Sequence, residues 1–349
     1  MTKAEKIASF DPNGPGQLDQ NIFGLPFTAD EADIVILPVP WEVTVSYGGG
    51  TLNGPDAIME ASLQVDLYDA DSPEAWKTGI YMLPPNIDIR SLSETAREKA
   101  EAYINQLANG ANTNDYQDLI SEINDNCETM IDFVETETGK LLDQGKITAL
   151  LGGDHSTPLG FLKALAKRHS SFGILQIDAH MDLRIAYEGF VYSHASIMYN
   201  ALQLPQVNKL VQVGIRDYCQ EEIDVKNAEG GRVKTYFDDQ LKSEQFEGKT
   251  WSQQVDDIIA QLPEKVYLSF DIDGLDPTLC PNTGTPVAGG LSYAQAIFLM
   301  RKLARSNKKI IGFDLNEVSP GDTDWDANVG ARLLFKQCVF AAISVGRIS

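Results

Sequence analysis

Carboxylate and imidazole side chains follow a short, mostly apolar stretch near the middle of the chain. Asp178, His180 and Asp182 come directly after residues 174–177 and occupy every second position. Because alternate residues of extended backbone share one face, these three side chains are expected to converge. That convergence favours a metal site, with a polar turn after a strand as the alternative at this point.

Similar side chains follow three further predicted strands. Three of the four histidines, His155, His180 and His194, lie at strand ends or in the loops that follow them. In an open parallel sheet, ligands bind beyond the carboxyl ends of the strands, where we expect these residues to meet. Clustered carboxylates are costly to bury without compensation, and bound cations would remove that cost.

The donor types of this cluster indicate which metal it would hold. Mixed carboxylate and imidazole donors suit Mn²⁺ better than zinc or calcium, and Ni²⁺ is the second metal considered. The predicted metal ligands are His155, Asp178, His180, Asp182, Asp271 and Asp273. They suffice for two divalent ions bridged by shared carboxylates and a water, which ionises near neutral pH. The sequence therefore predicts a hydrolase, with a structural metal or a solvated acidic rim as the alternative.

Alternating strands and helices are predicted to position these residues. The predicted strands cover 32–38, 147–151, 173–178, 209–215, 265–271 and 309–315. The predicted helices of this alternation cover 56–63, 156–168, 196–202, 251–262, 292–305 and 328–340. Such alternation predicts an α/β fold, with a parallel sheet covered by helices on both faces.

No break in composition divides the chain, so we expect one domain over residues 1–349. Residues 1–31 contain scattered Gly and Pro without periodicity, which predicts an N-terminal arm along the surface. Residues 66–90 are expected to be irregular, and residues 93–145 to form a helical elaboration beside the sheet. The glycine-rich loop of residues 40–51 lacks the spacing of a phosphate loop, so we expect it to line a substrate pocket.

Composition excludes several classes of partner. Lys and Arg total 28 against 50 acids, and the resulting net charge of -22 disfavours nucleic acid and anionic membranes. The N-terminus has no apolar leader, and no window approaches the roughly 18 apolar residues of a membrane span. The four cysteines form no CxxC pair, which predicts reduced thiols and a cytoplasmic protein.

Three of these segments carry a family resemblance. Residues 152–156, 178–182 and 269–277 resemble the signature segments of the ureohydrolase family, which includes arginases, agmatinases, formimidoylglutamases and guanidine hydrolases. With the segment at 46–58, the resemblance spans roughly residues 32–340. It implies a three-layer α/β/α fold with about eight parallel strands, two Mn²⁺ per chain, and a homotrimer or homohexamer.

The resemblance also implies roles for individual residues. In the family mechanism, a hydroxide that bridges the metals attacks a guanidino or formimino carbon, and urea or an amide is released with an amine. His194 resembles the histidine that passes a proton to the leaving amine, and its ordinary pKa suits that task. Glu317 resembles the carboxylate that binds the guanidinium group. Asp178 and Asp182 are the ligands expected to be shared between the two ions, and Asp182 completes the predicted catalytic set.

The substrate is the finest prediction. The motifs are most similar to those of agmatinases, so the expected reaction converts agmatine to putrescine and urea, a step of polyamine metabolism. Arginine is disfavoured because the central motif lacks the following Asn- and Ser-bearing loop, and Cys219 stands where arginases carry an acid. Arg184 could bind a carboxylate, which keeps formimidoylglutamate open, and Trp41 could wall a smaller pocket for guanidine. A single-zinc deacetylase and a non-catalytic metal-binding homologue are the less favoured alternatives.

Overall fold

The computed structural model describes residues 1–17 and 20–348 of the chain. The strands in this part are β1 (Ile34–Val39), β2 (Ile80–Met82), β3 (Ile147–Gly152), β4 (Phe172–Ile177), β5 (Val207–Ile215), β6 (Val233–Phe237), β7 (Lys265–Phe270) and β8 (Lys309–Leu315). The α-helices are α1 (Lys3–Ser9), α2 (Gly54–Ser62), α3 (Ile87–Ala108), α4 (Gln117–Asp143), α5 (Leu159–Ala166), α6 (Ile197–Leu202), α7 (Gln220–Ala228), α8 (Asp238–Phe246), α9 (Trp251–Ala260), α10 (Tyr293–Ala304) and α11 (Trp325–Ser344).

The strands form one eight-stranded sheet in the order β2-β1-β3-β8-β7-β4-β5-β6. Every pair of neighbouring strands is parallel. The predicted α/β class, the parallel sheet and the expected number of strands are therefore confirmed. Six of the strands match the sequence prediction to within a few residues.

Two hydrophobic cores cover the two faces of the sheet, and β4 shows how one strand serves both. Leu175 and Ile177 belong to a core shared with α2, α9, α10 and α11. Phe172 and Ile174 belong to the other core, shared with α3, α4, α5 and α6. Because successive side chains of a strand point to opposite faces, a strand buried on both sides must be almost continuously apolar. This explains the apolar run in 172–177.

The two strands that sequence reasoning missed, β2 and β6, lie at the two edges of the sheet. β2 has only three residues, and β6 is partly exposed, with buried Val233 beside exposed Lys234. An edge strand buries less surface than a central one, so its hydrophobic pattern is weaker. The expectation of irregular backbone over 66–90 was therefore wrong at β2.

Three further expectations need correction. The segment 1–31 is not wholly aperiodic, because α1 lies in it, begun by a capping box at Thr2; residues 18 and 19 of this segment lie outside the described residues. It also contributes Ile22 and Phe23 to a core, so it is more than a surface arm. The helices of the predicted elaboration begin at Ile87 rather than at residue 93. The acid-rich helices α7 and α8 escaped prediction because they bury few apolar residues.

The order of the strands places the sequence motifs side by side. β3, β8, β7 and β4 are consecutive at the centre of the sheet. The residues that follow them therefore meet at the carboxyl edge, as expected for a ligand site of a parallel sheet. Within the described part of the chain, no helix combines the length and apolar character that crossing a bilayer requires.

Candidate active site

The first group of candidate metal ligands surrounds His155, which follows β3. Its Nδ1 lies 3.0 Å from Asp178 Oδ2, 3.0 Å from Asp182 Oδ2 and 3.4 Å from Asp271 Oδ2. The same nitrogen is buried and has no well-aligned hydrogen-bond partner among the described residues. The nitrogen faces several carboxylates but makes no aligned hydrogen bond to them. This arrangement fits a cation that the nitrogen and the carboxylates would bind together.

The second group surrounds His180, near the start of the loop that leaves β4. His180 Nδ1 lies 3.0 Å from Asp273 Oδ2 and 3.6 Å from Asp178 Oδ1. Donor atoms of Asp178, His180 and Asp273 lie within 4.8 Å of one another, as do those of His155, Asp178 and Asp271. Asp178 belongs to both triads and uses a different oxygen in each set of contacts. Its carboxylate is thus placed between two candidate metal positions.

The six predicted metal ligands all lie in this cluster. Asp182 approaches His155 but belongs to neither of the two triads. The geometry therefore favours Asp178 as a shared ligand more directly than Asp182. Carboxylate oxygens and imidazole nitrogens in two adjacent triads fit two divalent ions of the Mn²⁺ type. The assignment of individual ligands to each ion stays a prediction.

The second nitrogen of His155 is held by residues of neighbouring strands. His155 Nε2 lies 2.9 Å from Ser269 Oγ, which in turn donates to Asp314 Oδ1 at 3.1 Å. Such partners fix the orientation and tautomer of an imidazole ligand. Ser269 lies in β7 and Asp314 in β8, so the order of the central strands orients His155.

His194 and Glu317, the residues predicted to act on the substrate, lie beside each other. His194 Nδ1 is 3.7 Å from Glu317 Oε1, and this oxygen accepts a hydrogen bond of 2.8 Å from the backbone N–H of His155. His194 Nε2 is buried and has no hydrogen-bond partner within the described residues. A polar atom left in this state at a cavity is available to a ligand.

Two of the predicted catalytic residues have backbone conformations that only glycine adopts readily. Asp182 has φ of 54° and Glu317 has φ of 63°. Such residues carry strain of the order of 1–2 kcal/mol, which surrounding contacts must offset. The Asp182 carbonyl accepts hydrogen bonds from two backbone N–H groups at the start of α6, and Glu317 N–H donates to Gly153 O at 2.8 Å. These backbone hydrogen bonds hold both residues in the strained conformation beside the cluster.

The imidazoles of the cluster have perturbed pKa values. Burial alone would lower the pKa of His155, but the carboxylates around it, Asp178 first, raise it well above its usual value. The pKa of His180 is raised in the same way, against the effect of burial, chiefly by the charge of Asp273. Both imidazoles therefore keep a proton that metal binding would have to displace.

Three acids in and beside the cluster, Asp182, Asp271 and Glu317, have raised pKa values. Burial, together with the charge of Asp178, raises the pKa of Asp182 to about 7. Burial and the charge of Asp273 raise the pKa of Asp271 well above its usual range, and burial does the same for Glu317. Buried carboxylates with mutually raised pKa values need a positive charge to ionise together.

A chain of buried polar side chains crosses three strands and ends at Asp178. Thr235 Oγ1 donates to Gln212 Oε1 at 2.8 Å, and Gln212 Nε2 donates to Gln176 Oε1 at 2.7 Å. Gln176 Nε2 then donates to Asp178 Oδ2 at 2.7 Å. These residues belong to β6, β5 and β4 in turn. Sequence reasoning missed this relay, because it depends on which strands become neighbours.

A cavity of about 190 Å³ opens onto the cluster. Its walls include the predicted residues His155, His180, Asp182, Asp271, His194 and Arg184, together with Ser46 of the glycine-rich loop. The wall residues that sequence reasoning did not single out include Tyr187, Asp217, Tyr218, Glu222 and Thr285. Glu222 had a weak signal, since it stands three residues after Cys219 in a capping box at the start of α7.

The two predicted substrate-binding residues outside the metal cluster have different positions. The Arg184 guanidinium lies 4.5 Å from the centre of the Tyr187 ring, and both side chains line the cavity. Trp41 does not belong to the cavity wall: its side chain is fully buried in a hydrophobic core. Its carbonyl accepts the N–H of Asp154, which ties the end of β1 to the end of β3. Trp41 is therefore placed as a packing residue, and its predicted contact with substrate is corrected.

Comparison with known proteins agrees with the geometry. The model of the arginase family matches residues 32–339. An N(1)-aminopropylagmatine ureohydrolase of Synechocystis sp. is 31% identical over 83% of this chain and 82% of its own length. An agmatinase of Proteus mirabilis is 33% identical over 88% of this chain and 87% of its own length.

The crystal structure of an agmatine ureohydrolase from Thermoplasma volcanium is similar in fold. It superposes with a TM-score of 0.72 over 99% of both chains, at 23% sequence identity. The three-layer arrangement expected from the signature segments is thereby confirmed. The family match over most of the chain and the identity to the curated relatives lead to one conclusion: the chain belongs to the arginase family, the ureohydrolases.

Proposed function

We propose that this protein is a binuclear manganese hydrolase that releases urea from a guanidino compound. The observation that carries the proposal is the pair of triads that share Asp178, each with one imidazole and with only His180 partly exposed. Two ions that shared the Asp178 carboxylate would lie close enough to act on the same substrate. Bound ions of this kind supply Lewis acidity and lower the pKa of water to near neutral.

Glu317 is proposed to bind the guanidinium group of the substrate. Its Oε1 already accepts the His155 N–H, while Oε2 accepts no hydrogen bond from the described residues. A carboxylate binds two guanidinium N–H groups strongly only when it is ionised. Burial and the charge of Asp271 raise the pKa of Glu317 in the metal-free protein, so nearby cations would favour its charged form. Substrate binding should therefore depend on prior metal binding.

His194 is proposed to deliver the proton that the leaving amine needs. Burial, followed by the charges of His180 and His155, lowers the pKa of His194 to about 3 in the metal-free protein. It therefore begins neutral, accepts at Nε2 the proton that water releases as it adds to the guanidino carbon, and passes that proton to the leaving amine. Glu317, 3.7 Å from Nδ1, would stabilise the imidazolium that forms.

Agmatine, which carries an amine at the end away from the guanidino group, is the proposed substrate. Asp217 and Glu222 add acids to the cavity wall beside the metal cluster, which suits a substrate with a second positive charge. Relatives named for agmatine and for N(1)-aminopropylagmatine support the same substrate class. The net charge of -22 would attract such dications to the protein.

A guanidino acid is the second candidate because Arg184 lines the cavity. Its guanidinium makes no ion pair within the described residues and stacks on Tyr187. An unpaired arginine in a cavity can bind a carboxylate in bidentate geometry. Formimidoylglutamate would use the same contact, whereas free guanidine would leave Arg184 without a partner. A single-zinc deacetylase and a non-catalytic homologue are less favoured, given the two triads and the adjacent His194 and Glu317.

A urea assay over a panel of substrates tests the proposal. The Mn²⁺-loaded and Ni²⁺-loaded proteins are each given agmatine, N(1)-aminopropylagmatine, 4-guanidinobutyrate, arginine and guanidine. Formamide and ammonia are measured from formimidoylglutamate. Agmatine should give the highest kcat/KM. A preference for 4-guanidinobutyrate that disappears in Arg184→Met would select the guanidino acid instead, and absence of turnover on every compound would refute the proposed function.

Assembly and compartment are part of the same proposal. We propose a homotrimer or homohexamer, which light scattering would report as three or six times the chain mass of 38.3 kDa. We also propose a cytoplasmic location, supported by four free cysteines, three of which are buried. Reduced buried thiols are typical of proteins that stay in a reducing compartment.

A further inference from the structure

The helices α3 and α4 hold the loop that forms one wall of the cavity. This loop, residues 184–191, follows the candidate metal ligands at the end of β4 and is called the wall loop below. It carries Arg184 and Tyr187 into the cavity. The opposite side of the loop rests on α3 and α4, the helices of the predicted elaboration, whose purpose the metal cluster does not explain.

The tip of the wall loop is a tight turn. Tyr187 and Phe190 exchange backbone hydrogen bonds of 3.1 and 2.9 Å. Glu188 and Gly189 between them have φ of 55° and 88°, as the two central residues of a type I′ turn require. A turn of this kind has a fixed shape, so whatever holds its tip also fixes the position of the Tyr187 ring.

The tip fits closely between α3 and α4. A Cβ on Gly189 would lie only 2.9 Å from Ile120 Cδ1, so the backbone itself contacts α4. The Phe190 side chain is fully buried and meets the Tyr103 ring of α3 edge to face, at 5.6 Å between ring centres. Packing of this kind fixes the direction of the turn.

Hydrogen bonds from both helices hold the same turn. Tyr103, which is 1% exposed, donates its hydroxyl to Glu188 O at 2.9 Å. Asn124 Oδ1 accepts from the N–H of Val191 at 2.9 Å, and its Nδ2 donates to Gly189 O at 3.5 Å. The two helices thus bind the turn on both sides of its tip.

The buried stripe of α3 also holds the glycine-rich loop on the other side of the cavity. Ser93 and Tyr103 both belong to this stripe. The Ser93 hydroxyl accepts the N–H of Glu42 at 2.8 Å, and Arg97 donates to the carbonyls of Val43 and Val45. Val45 is followed by Ser46, another residue of the cavity wall. The helix α3 therefore holds segments on two sides of the cavity, the wall loop and the glycine-rich loop.

We infer that α3 and α4 form a positioning platform that sets substrate selectivity, with Tyr103 and Asn124 as positioning residues that act through the wall loop. The turn places Tyr187, and the Tyr187 ring supports the Arg184 guanidinium at 4.5 Å. Neither positioning residue lines the cavity itself. The inference rests on the proposed function, since it concerns the part of a guanidino substrate that lies beyond the reacting group.

The test compares two double variants with matched chemistry. Tyr103→Phe with Asn124→Leu removes the hydrogen bonds to the turn. Tyr116→Phe with Asn126→Leu makes the same changes nearby, at a tyrosine and an asparagine whose side chains make no hydrogen bond to the described residues. KM and kcat are measured for agmatine, 4-guanidinobutyrate and guanidine, and hydrogen exchange is followed in residues 184–191.

The first double variant should raise KM for agmatine by about tenfold, because part of the free energy of the three lost hydrogen bonds must then come from substrate binding to order the wall loop. Its kcat should change by less than about threefold and its KM for guanidine should stay unchanged, because the reacting group is bound elsewhere. Exchange in the wall loop should accelerate, and the control pair should match the wild type. Single Asn124→Asp, which keeps the acceptor for Val191 N–H, should recover most of the protection that Asn124→Leu loses.

Equal KM values and equal loop exchange in the two double variants would refute the inference that α3 and α4 position the wall loop. The proposed function would be unaffected. A uniform fall in kcat on every substrate, guanidine included, would also overturn it, because that result indicates damage to the metal cluster. If the wild type turns over no guanidino compound, the proposed function fails. Loop exchange then decides whether the helices position the wall loop.

Discussion

Asp178 is the residue on which the candidate metal site depends most. It belongs to both triads, and its two oxygens face different imidazoles. Burial would raise the pKa of its carboxyl, but the hydrogen bonds and charges of His155 and His180 lower it. Because this carboxylate is already ionised, it can bind two ions without first releasing a proton. The imidazoles, in contrast, must lose theirs.

Proton release on metal binding follows from the raised pKa values of His155 and His180. Raised pKa values mean that both imidazoles keep their protons at neutral pH in the metal-free protein, and a metal ligand must be neutral. Mn²⁺ affinity should therefore increase with pH, up to the raised pKa values, with protons released at neutral pH. Calorimetry of Mn²⁺ binding in two buffers of different ionisation enthalpy measures this release. Binding without protons, and with equal affinity at pH 6 and 8, would contradict it.

The relay to Asp178 gives a second expectation at the scale of single residues. Gln176→Leu removes the donor at 2.7 Å from Asp178 Oδ2. Loss of a partner that orients a metal ligand typically weakens metal binding by about 10–100-fold. Mn²⁺ titration of the metal-free variant measures this loss. Gln254→Leu is the control, because Gln254 is also buried but lies in α9, away from the candidate metal ligands. Equal Mn²⁺ affinity in both variants would show that the relay does not support metal binding.

His194 should affect the chemical step rather than metal binding. His194→Ala removes the proposed proton donor but none of the six candidate metal ligands, so kcat should fall by about 10²–10⁴-fold. The Mn²⁺ content, measured by elemental analysis, should match the wild type. Substantial activity in this variant, with metal bound, would assign the proton transfer to another group.

At the scale of elements, the ends of β3, β8, β7 and β4 supply almost every group of the site. The sequence predicted these ends well, because a buried parallel strand is an apolar run that stops abruptly at polar residues. It predicted the edge strands and acid-rich helices poorly, since β2, β6, α7 and α8 bury few apolar side chains. The relay through Gln212 and Thr235 was beyond prediction, because no local pattern tells which strands lie side by side.

Trp41 illustrates the same limit and gives a prediction for the end of β1. It was expected beside the substrate, yet its side chain is fully buried in a core. Trp41→Ala should reduce the free energy of unfolding by about 3–5 kcal/mol, as typical for the loss of a large core side chain. Trp41→Phe should leave KM within about twofold of the wild type, whereas Tyr187→Ala on the cavity wall should change it. Denaturant titration and steady-state kinetics check the two effects, and a large KM change in Trp41→Phe would return Trp41 to the substrate site.

At the scale of the whole molecule, the fold brings distant segments to one edge of one sheet. His155 and Asp271 are more than a hundred residues apart in sequence, yet His155 Nδ1 lies 3.4 Å from Asp271 Oδ2. The order β3-β8-β7-β4 accomplishes this, with helices on both faces excluding water from beneath the site. Burial makes each acid there costly to ionise alone, and the molecule as a whole therefore favours the state in which cations are bound.

The most direct test of the central claim is urea release from agmatine as Mn²⁺ is added to the metal-free protein, with bound metal counted in the same samples. We expect activity to rise with occupancy and to reach its full value at two Mn²⁺ per chain. Asp178→Ala should lower Mn²⁺ affinity at both positions and abolish activity, because both triads lose their shared ligand. Two bound Mn²⁺ per chain without urea from any guanidino compound, or full activity in Asp178→Ala, would contradict the account.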